Sequence, residues 1–134
     1  MPRYFLDTNM CVFALHRRMP SVIARIKEAN QGELVISTLV AAELAGGVMN
    51  SQRVEANRRA LDMFLAEMVV LPWGNSAIWS YAQHAVRLRK AGKTIGTIDL
   101  LLGCQALSED AVLVTNNTRE FERIEGLKLE NWVA

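Results

Sequence analysis

The stretch Tyr4-Phe5-Leu6-Asp7-Thr8-Asn9 joins a short, wholly apolar run to an acid and two small polar residues. A run that is apolar at every position, rather than at alternate ones, reads as a strand buried on both faces. Asn9 to His16 then reads as a helix. The same unit recurs along the chain. Leu34-Val35-Ile36 is a second such strand, and Ser37 or Thr38 can cap the helix behind it, which should stop near Gly46-Gly47. Pro20 to Asn30 predicts a helix with Pro20 in its first turn, where its missing N–H costs nothing. Ser51 to Glu67 is amphipathic, with Arg53, Glu55, Arg58 and Arg59 mostly outward. Met68 to Leu71 predicts a third strand closed by Pro72, and Asn75 to Ala91 a helix ended by Gly92. Thr97 can cap the next helix. Ala111 to Val114 is a fourth strand, and Lys128 to Glu130 a short fifth. Short apolar strands alternating with helices describe an α/β fold: a central parallel sheet flanked by helices.

The 134 residues suit one domain, and with 51% hydrophobic residues its core can be filled. A formal net charge of +1 gives no global case for nucleic acid or a membrane surface, so a nucleic-acid enzyme here needs a local basic rim. No apolar run is long enough to span a membrane. Met1-Pro2-Arg3-Tyr4 enters a strand directly, with no signal-peptide pattern. Cys11 and Cys104 sit in apolar patterns without metal-ligand spacing. They read as reduced core thiols of a cytoplasmic protein, with a disulfide as the alternative.

Three acids stand alone. Asp7 is the only Asp, Glu, Lys or Arg from Tyr4 to Leu15, Glu43 from Leu34 to Asn50, and Asp99 from Thr94 to Ser108. An unpaired buried charge is costly, and no Lys or Arg lies near any of the three in sequence. In open α/β sheets ligands bind beyond the carboxyl ends of the strands. Asp7 ends the first strand, Glu43 lies two turns into the helix leaving the second, Asp99 opens a helix, and Thr115-Asn116-Asn117-Thr118 follows the fourth. All are thus predicted at one edge. Clustered carboxylates repel, and a hard divalent ion such as Mg²⁺, held by oxygen ligands, removes that cost. Such an ion supports phosphodiester hydrolysis. Each acid also has a simpler use: Asp7 as a helix cap, Asp99 at a helix dipole, Glu43 as a solvated charge.

These residues resemble the PIN-domain ribonucleases. Phe5-Leu6-Asp7-Thr8-Asn9 is similar to the family's opening, and Glu43-Leu44-Ala45-Gly46-Gly47 fits its Glu-Leu-x-x-Gly pattern. Gly92 to Asp99 matches Gly-x-x-Ile-x-x-x-Asp, and Val114-Thr115-Asn116-Asn117-Thr118-Arg119-Glu120-Phe121 resembles the last motif. The order is right across nearly the whole chain, and within the family the chain is similar to the VapC toxins of type II toxin–antitoxin modules. The resemblance implies a single PIN domain over 1–134 with a three-layer α/β/α fold. It implies a Mg²⁺-dependent endoribonuclease, Mn²⁺ being possible, with Asp7 and Asp99 as metal ligands and Glu43 completing the pocket. It also implies a cognate VapB antitoxin, homodimers, and structured RNA such as transfer RNA as the target class.

One position departs from the pattern. Where many PIN domains carry a fourth acid, this chain has Asn117. Glu120 is the candidate to replace that acid, and its simpler use is a surface charge. Thr8, Asn9, Thr115 and Asn117 can orient carboxylates or waters, or act as caps and turns. Arg87, Arg89, Lys90 and Lys93 precede the Asp99 motif and can meet RNA phosphates, whereas Arg53, Arg58 and Arg59 read as a solvated face. Trp73, Trp79, Tyr81 and Trp132 can stack bases, anchor a partner or fill a core. Met49, Met63 and Met68 read as core or interface, and His16 and His84 have no catalytic assignment. Two alternatives remain open: a catalytically weak RNA-binding or regulatory module of the same fold, and a phosphatase or phosphotransferase using Asp7 as nucleophile.

Overall fold

A computed structural model of the chain describes residues 2–133. Its elements run β1 (Tyr4–Leu6), α1 (Thr8–Leu15), α2 (Pro20–Glu28), β2 (Leu34–Ser37), α3 (Thr38–Met49), α4 (Val54–Ala66) and β3 (Val69–Leu71). After a single 3₁₀ turn at Asn75–Ala77 come α5 (Ile78–Lys90), α6 (Thr97–Ser108), β4 (Val112–Val114), α7 (Thr118–Phe121) and β5 (Lys128–Glu130). All five strands are parallel, in the order β3-β2-β1-β4-β5. Tyr4 and Phe5 pair with Leu34 and Val35 on one side of β1 and with Val112 and Leu113 on the other.

Neighbouring residues of a strand point to opposite faces, so burial of consecutive residues means both faces are covered. Phe5 and Leu6, Val35 and Ile36, and Leu113 and Val114 are all 0% exposed. The three central strands therefore lie between helical layers, giving the three-layer α/β/α arrangement. At the β3 edge Val69 and Val70 are exposed. The chain moves from β1 toward β2 and β3, then returns past β1 to β4 and β5. The order reverses between β1 and β4, which leaves a crevice at their carboxyl ends.

Several element boundaries differ from those the sequence predicts, for local reasons. Ser37 caps α3, its Oγ accepting from Leu39 N at 3.1 Å, while Thr38 is already helical. α3 does not stop at Gly46-Gly47 but runs to Met49. The partly buried Val48 packs against the core, and that burial offsets the poor helix propensity of the glycines. Thr97 is not the cap of α6: Gly96 holds that position, with no side-chain capping bond. α4 begins only at Val54, and the α5 region starts as a 3₁₀ turn. The short helix α7 lies in a stretch whose sequence shows no periodicity long enough to mark it.

Trp132 is buried and Trp73 half-buried, whereas Trp79 is exposed. Met49 and Met63 are exposed as well, so neither belongs to this chain's core; Met68 is partly buried against it. Cys11 and Cys104 are buried free thiols, not a disulfide. Among the described residues no helix is long and apolar enough to cross a membrane.

Candidate active site

The crevice at the β1/β4 reversal is a cleft of about 210 Å³ lined by Asp7, Thr8, Asn9, Glu43, Asp99, Asn117 and Phe121. Asp7 enters it as the cap of α1. Its backbone N–H bonds Val114 O at 3.1 Å, continuing the β1–β4 ladder, and its Oδ1 accepts from Met10 N at 2.9 Å. The capping use of Asp7 is thus real, and it aims the carboxylate at the strand ends. Beneath it the fully buried Thr115 donates a side-chain hydrogen bond to Asp7. Glu43 reaches the cleft from the middle of α3, where Thr8 Oγ1 donates to its Oε1 at 2.6 Å. Asp99 comes from the first turn of α6.

Glu120 is beside this group but oriented by two donors. Gly96 N bonds its Oε1 at 3.2 Å and Asn117 Nδ2 bonds its Oε2 at 2.7 Å. The residue at the fourth-acid position is therefore tied directly to the acid three residues on. Glu120 also clasps the amide that opens α6. Arg123 reinforces this clasp, its Nη1 donating to Thr94 O at 2.9 Å, and Arg87 Nη2 donates to Arg123 O at 2.8 Å. Gly103 sits in the packing behind the clasp: a Cβ there would meet Ile124 Cδ1, so any larger residue forces that buried side chain aside.

The electrostatics reflect the crowding of like charges. Burial pushes the Asp7 carboxyl above its ordinary value; the Glu43 charge adds to this, against the bonds from Thr115, Met10 and Asn9. Asp99 is pushed up to about 6 by burial and by the charges of Glu120, Glu43 and Asp7. Burial, with the Asp7 charge, pushes the Cys11 thiol up too, so it is no nucleophile. Among the described residues the ion pairs are Arg3–Glu109, Arg25–Glu130 and Lys128–Asp110, none involving the cleft acids.

This donor set suits a hard divalent cation. It is all oxygen, it is crowded with uncompensated negative charge, and it opens to solvent. Among the described residues, no three His, Cys, Asp or Glu side chains close on one point as a ready-made cage. A cation held here would rest on one or two carboxylates, the way Mg²⁺ is commonly held, with its remaining positions left for water or a phosphate oxygen.

The sequence reading placed Asp7, Glu43, Asp99, Thr8, Asn9 and Asn117 at one edge, and the structure gathers them in one cleft, with Thr115 beneath. It missed Phe121 as part of the wall and Gly96 N as a partner of Glu120. Phe121 does stand at the end of the Val114–Phe121 motif; nothing in sequence marks a backbone amide.

A parallel sheet with an acidic crevice at its reversal point, lined from the ends of β1 and β4 and from α3 and α6, defines the class of α/β fold. A family model described as PIN domain matches residues 4–127. "Ribonuclease VapC2" of Rickettsia felis is 38% identical over 130 residues, spanning 96% of this chain and 97% of that protein. "tRNA(fMet)-specific endonuclease VapC" of Shigella flexneri is 36% identical over 132 residues, spanning 98% and 99%. Among solved structures, the DNA-bound VapBC of Salmonella typhimurium superposes with a TM-score of 0.91 at 32% identity, covering 98% of this chain and 99% of that one. VapBC2 of Rickettsia felis, bound to a promoter DNA fragment, gives 0.88 at 37% identity, covering 96% and 98%. The chain belongs to the PIN-domain family, in its VapC branch.

Proposed function

We propose that the protein is a metal-dependent endoribonuclease toxin that hydrolyses phosphodiester bonds in structured RNA, with transfer RNA the favoured class. The observation that carries this is the convergence of Asp7, Glu43 and Asp99 in one cleft with, among the described residues, no ion pair to them. Relatives named as ribonucleases and a transfer-RNA endonuclease support the substrate class. Asp7 and Asp99 would hold Mg²⁺, or Mn²⁺ in its place, with Glu43 joining directly or through a water. The ion would supply Lewis-acid polarisation of the phosphate and a more acidic water. The protein's own groups do the positioning. Thr8 holds the Glu43 carboxylate, Thr115 and Met10 N hold Asp7, and Glu120 holds Asn117 and the start of α6. Asn9 presents a further polar group at the cleft wall. The exposed Arg89, Lys90 and Lys93, with Arg87, offer the local positive charge that RNA phosphates need.

In this reading the toxin acts in the cytoplasm, blocks translation and growth, and is neutralised by a cognate VapB antitoxin. An apolar groove of about 490 Å³ between α3 and α4, lined by Ala41, Ala45, Val48, Met49, Leu61 and Leu65, suits an antitoxin segment. The exposed Trp79 and Val86, seven residues apart on α5, suit a homodimer contact. The test is to map cellular RNA ends after brief expression of wild type and Asp7→Asn, a change that keeps an acceptor for Met10 N. New ends should appear with wild type alone, and purified wild type should reproduce them with Mg²⁺ or Mn²⁺ but not with chelator. Binding of RNA without cleavage would move the assignment to a regulatory module. Transfer of a phosphoryl group to Asp7 would move it to a phosphotransferase.

A further inference from the structure

The corner between β3 and the 3₁₀ turn is stitched to two helices at once. Trp73 N donates to Thr38 Oγ1 at 3.3 Å, at the first residue of α3. Trp73 Nε1 donates to Leu101 O at 2.8 Å, two residues beyond Asp99 in α6. Gln105, buried one turn further along α6, turns its Nε2 to Pro72 O at 3.2 Å and Leu71 O at 3.4 Å. The Trp73 ring is held edge-on to Tyr81, with centroids 6.4 Å apart. Among the described residues, no side-chain hydrogen bond joins α3 to α6 directly. At this corner, polar contacts of one residue reach both the helix that carries Glu43 and the helix that carries Asp99, beside the direct packing of the two helices.

We propose that Trp73 is a positioning residue of the cleft: through its indole N–H and backbone N–H it sets α6 against α3, and so Asp99 against Glu43. The inference rests on reading the cleft as the ribonuclease site. Catalytic groups lose effectiveness steeply with small displacements, so a tether removed outside the cleft should act on turnover. Substrate contacts made by surface cations should be left as they are.

Trp73→Phe keeps an aromatic ring against Tyr81 and removes the indole donor, with some loss of ring volume. Val22→Ala, at a buried α2 residue that shares no hydrogen bond with the corner, controls for lost stability. In cleavage of an RNA substrate with Mg²⁺, kcat of Trp73→Phe should fall about tenfold with KM within about twofold, while kcat of Val22→Ala stays within about twofold of wild type. Carbon-13 NMR of the carboxyl groups gives a readout independent of activity: the Glu43 and Asp99 signals should both move in Trp73→Phe and stay in place in Val22→Ala. Unchanged carboxyl signals in Trp73→Phe, or equal losses of kcat in the two variants, would overturn the proposal. If wild type cleaves no RNA, the ribonuclease reading fails, and the carboxyl signals alone decide whether Trp73 positions the cleft.

Discussion

Removing Asp99 should stabilise the protein while abolishing its activity. The Asp99 carboxyl is raised from an ordinary 3.8 to about 6, chiefly by burial and then by Glu120, Glu43 and Asp7. A folded-state value above the unfolded one means that the native state holds the proton more tightly. Between about pH 4 and 6 the folded chain carries more protons than the unfolded chain, so stability falls as pH rises through that window and stays low above it. Taken at face value the shift corresponds to about 3 kcal/mol. Asp99 is only partly buried in an open cleft, so solvent screening reduces this to about 1–2 kcal/mol. Asp99→Asn removes the charge and leaves the volume nearly unchanged. In metal-free buffer near pH 7.5 the variant should melt higher by about 4–7 °C, on the entropy of unfolding typical for a chain of this length. Below about pH 4, where Asp99 is protonated in the folded protein, the advantage should vanish. Thermal unfolding followed by circular dichroism at both pH values, with chelator present, measures it. An equal melting point at pH 7.5, or the same increment at both pH values, would refute the argument that burial and like-charge crowding disfavour the charged form of Asp99.

Two further outcomes follow from the contacts around α6. Glu120→Gln keeps one acceptor but sets an amide N–H₂ among the donors from Gly96 and Asn117, so cleavage should drop about tenfold, against about twofold or less for the exposed Arg119→Gln; unaltered cleavage across a range of Mg²⁺ concentrations would remove Glu120 from the site. Gly103→Ala should cost about 1–3 kcal/mol in chemical denaturation by forcing Ile124 aside, and Ile124→Val, which deletes the clashing methyl, should recover part of that loss in the double variant.

The parallel sheet was legible because its central strands are buried on both faces, and that requires runs such as Tyr4-Phe5-Leu6 and Leu34-Val35-Ile36 to be apolar throughout. The three isolated acids were legible for the complementary reason: a charge alone in such a run has no local partner. Helix ends were less so. Gly46-Gly47 looks like a stop by propensity, yet packing of Val48 carries α3 through it. The clasp of Glu120 on Gly96 N and Asn117 was not legible either, because a backbone amide has no sequence signature and side-chain direction depends on where α7 comes to rest.

The sequence by itself therefore determined the class of fold and the acids at its strand ends, since both follow from local pattern and the period of buried strands. Only the tertiary structure decided which contacts hold those acids: Thr115 under Asp7, Thr8 on Glu43, Glu120 on the start of α6, and Trp73 between α3 and α6. These contacts join residues from 24 to 108 positions apart, and they exist only once the β1–β4 reversal has folded the chain back on itself.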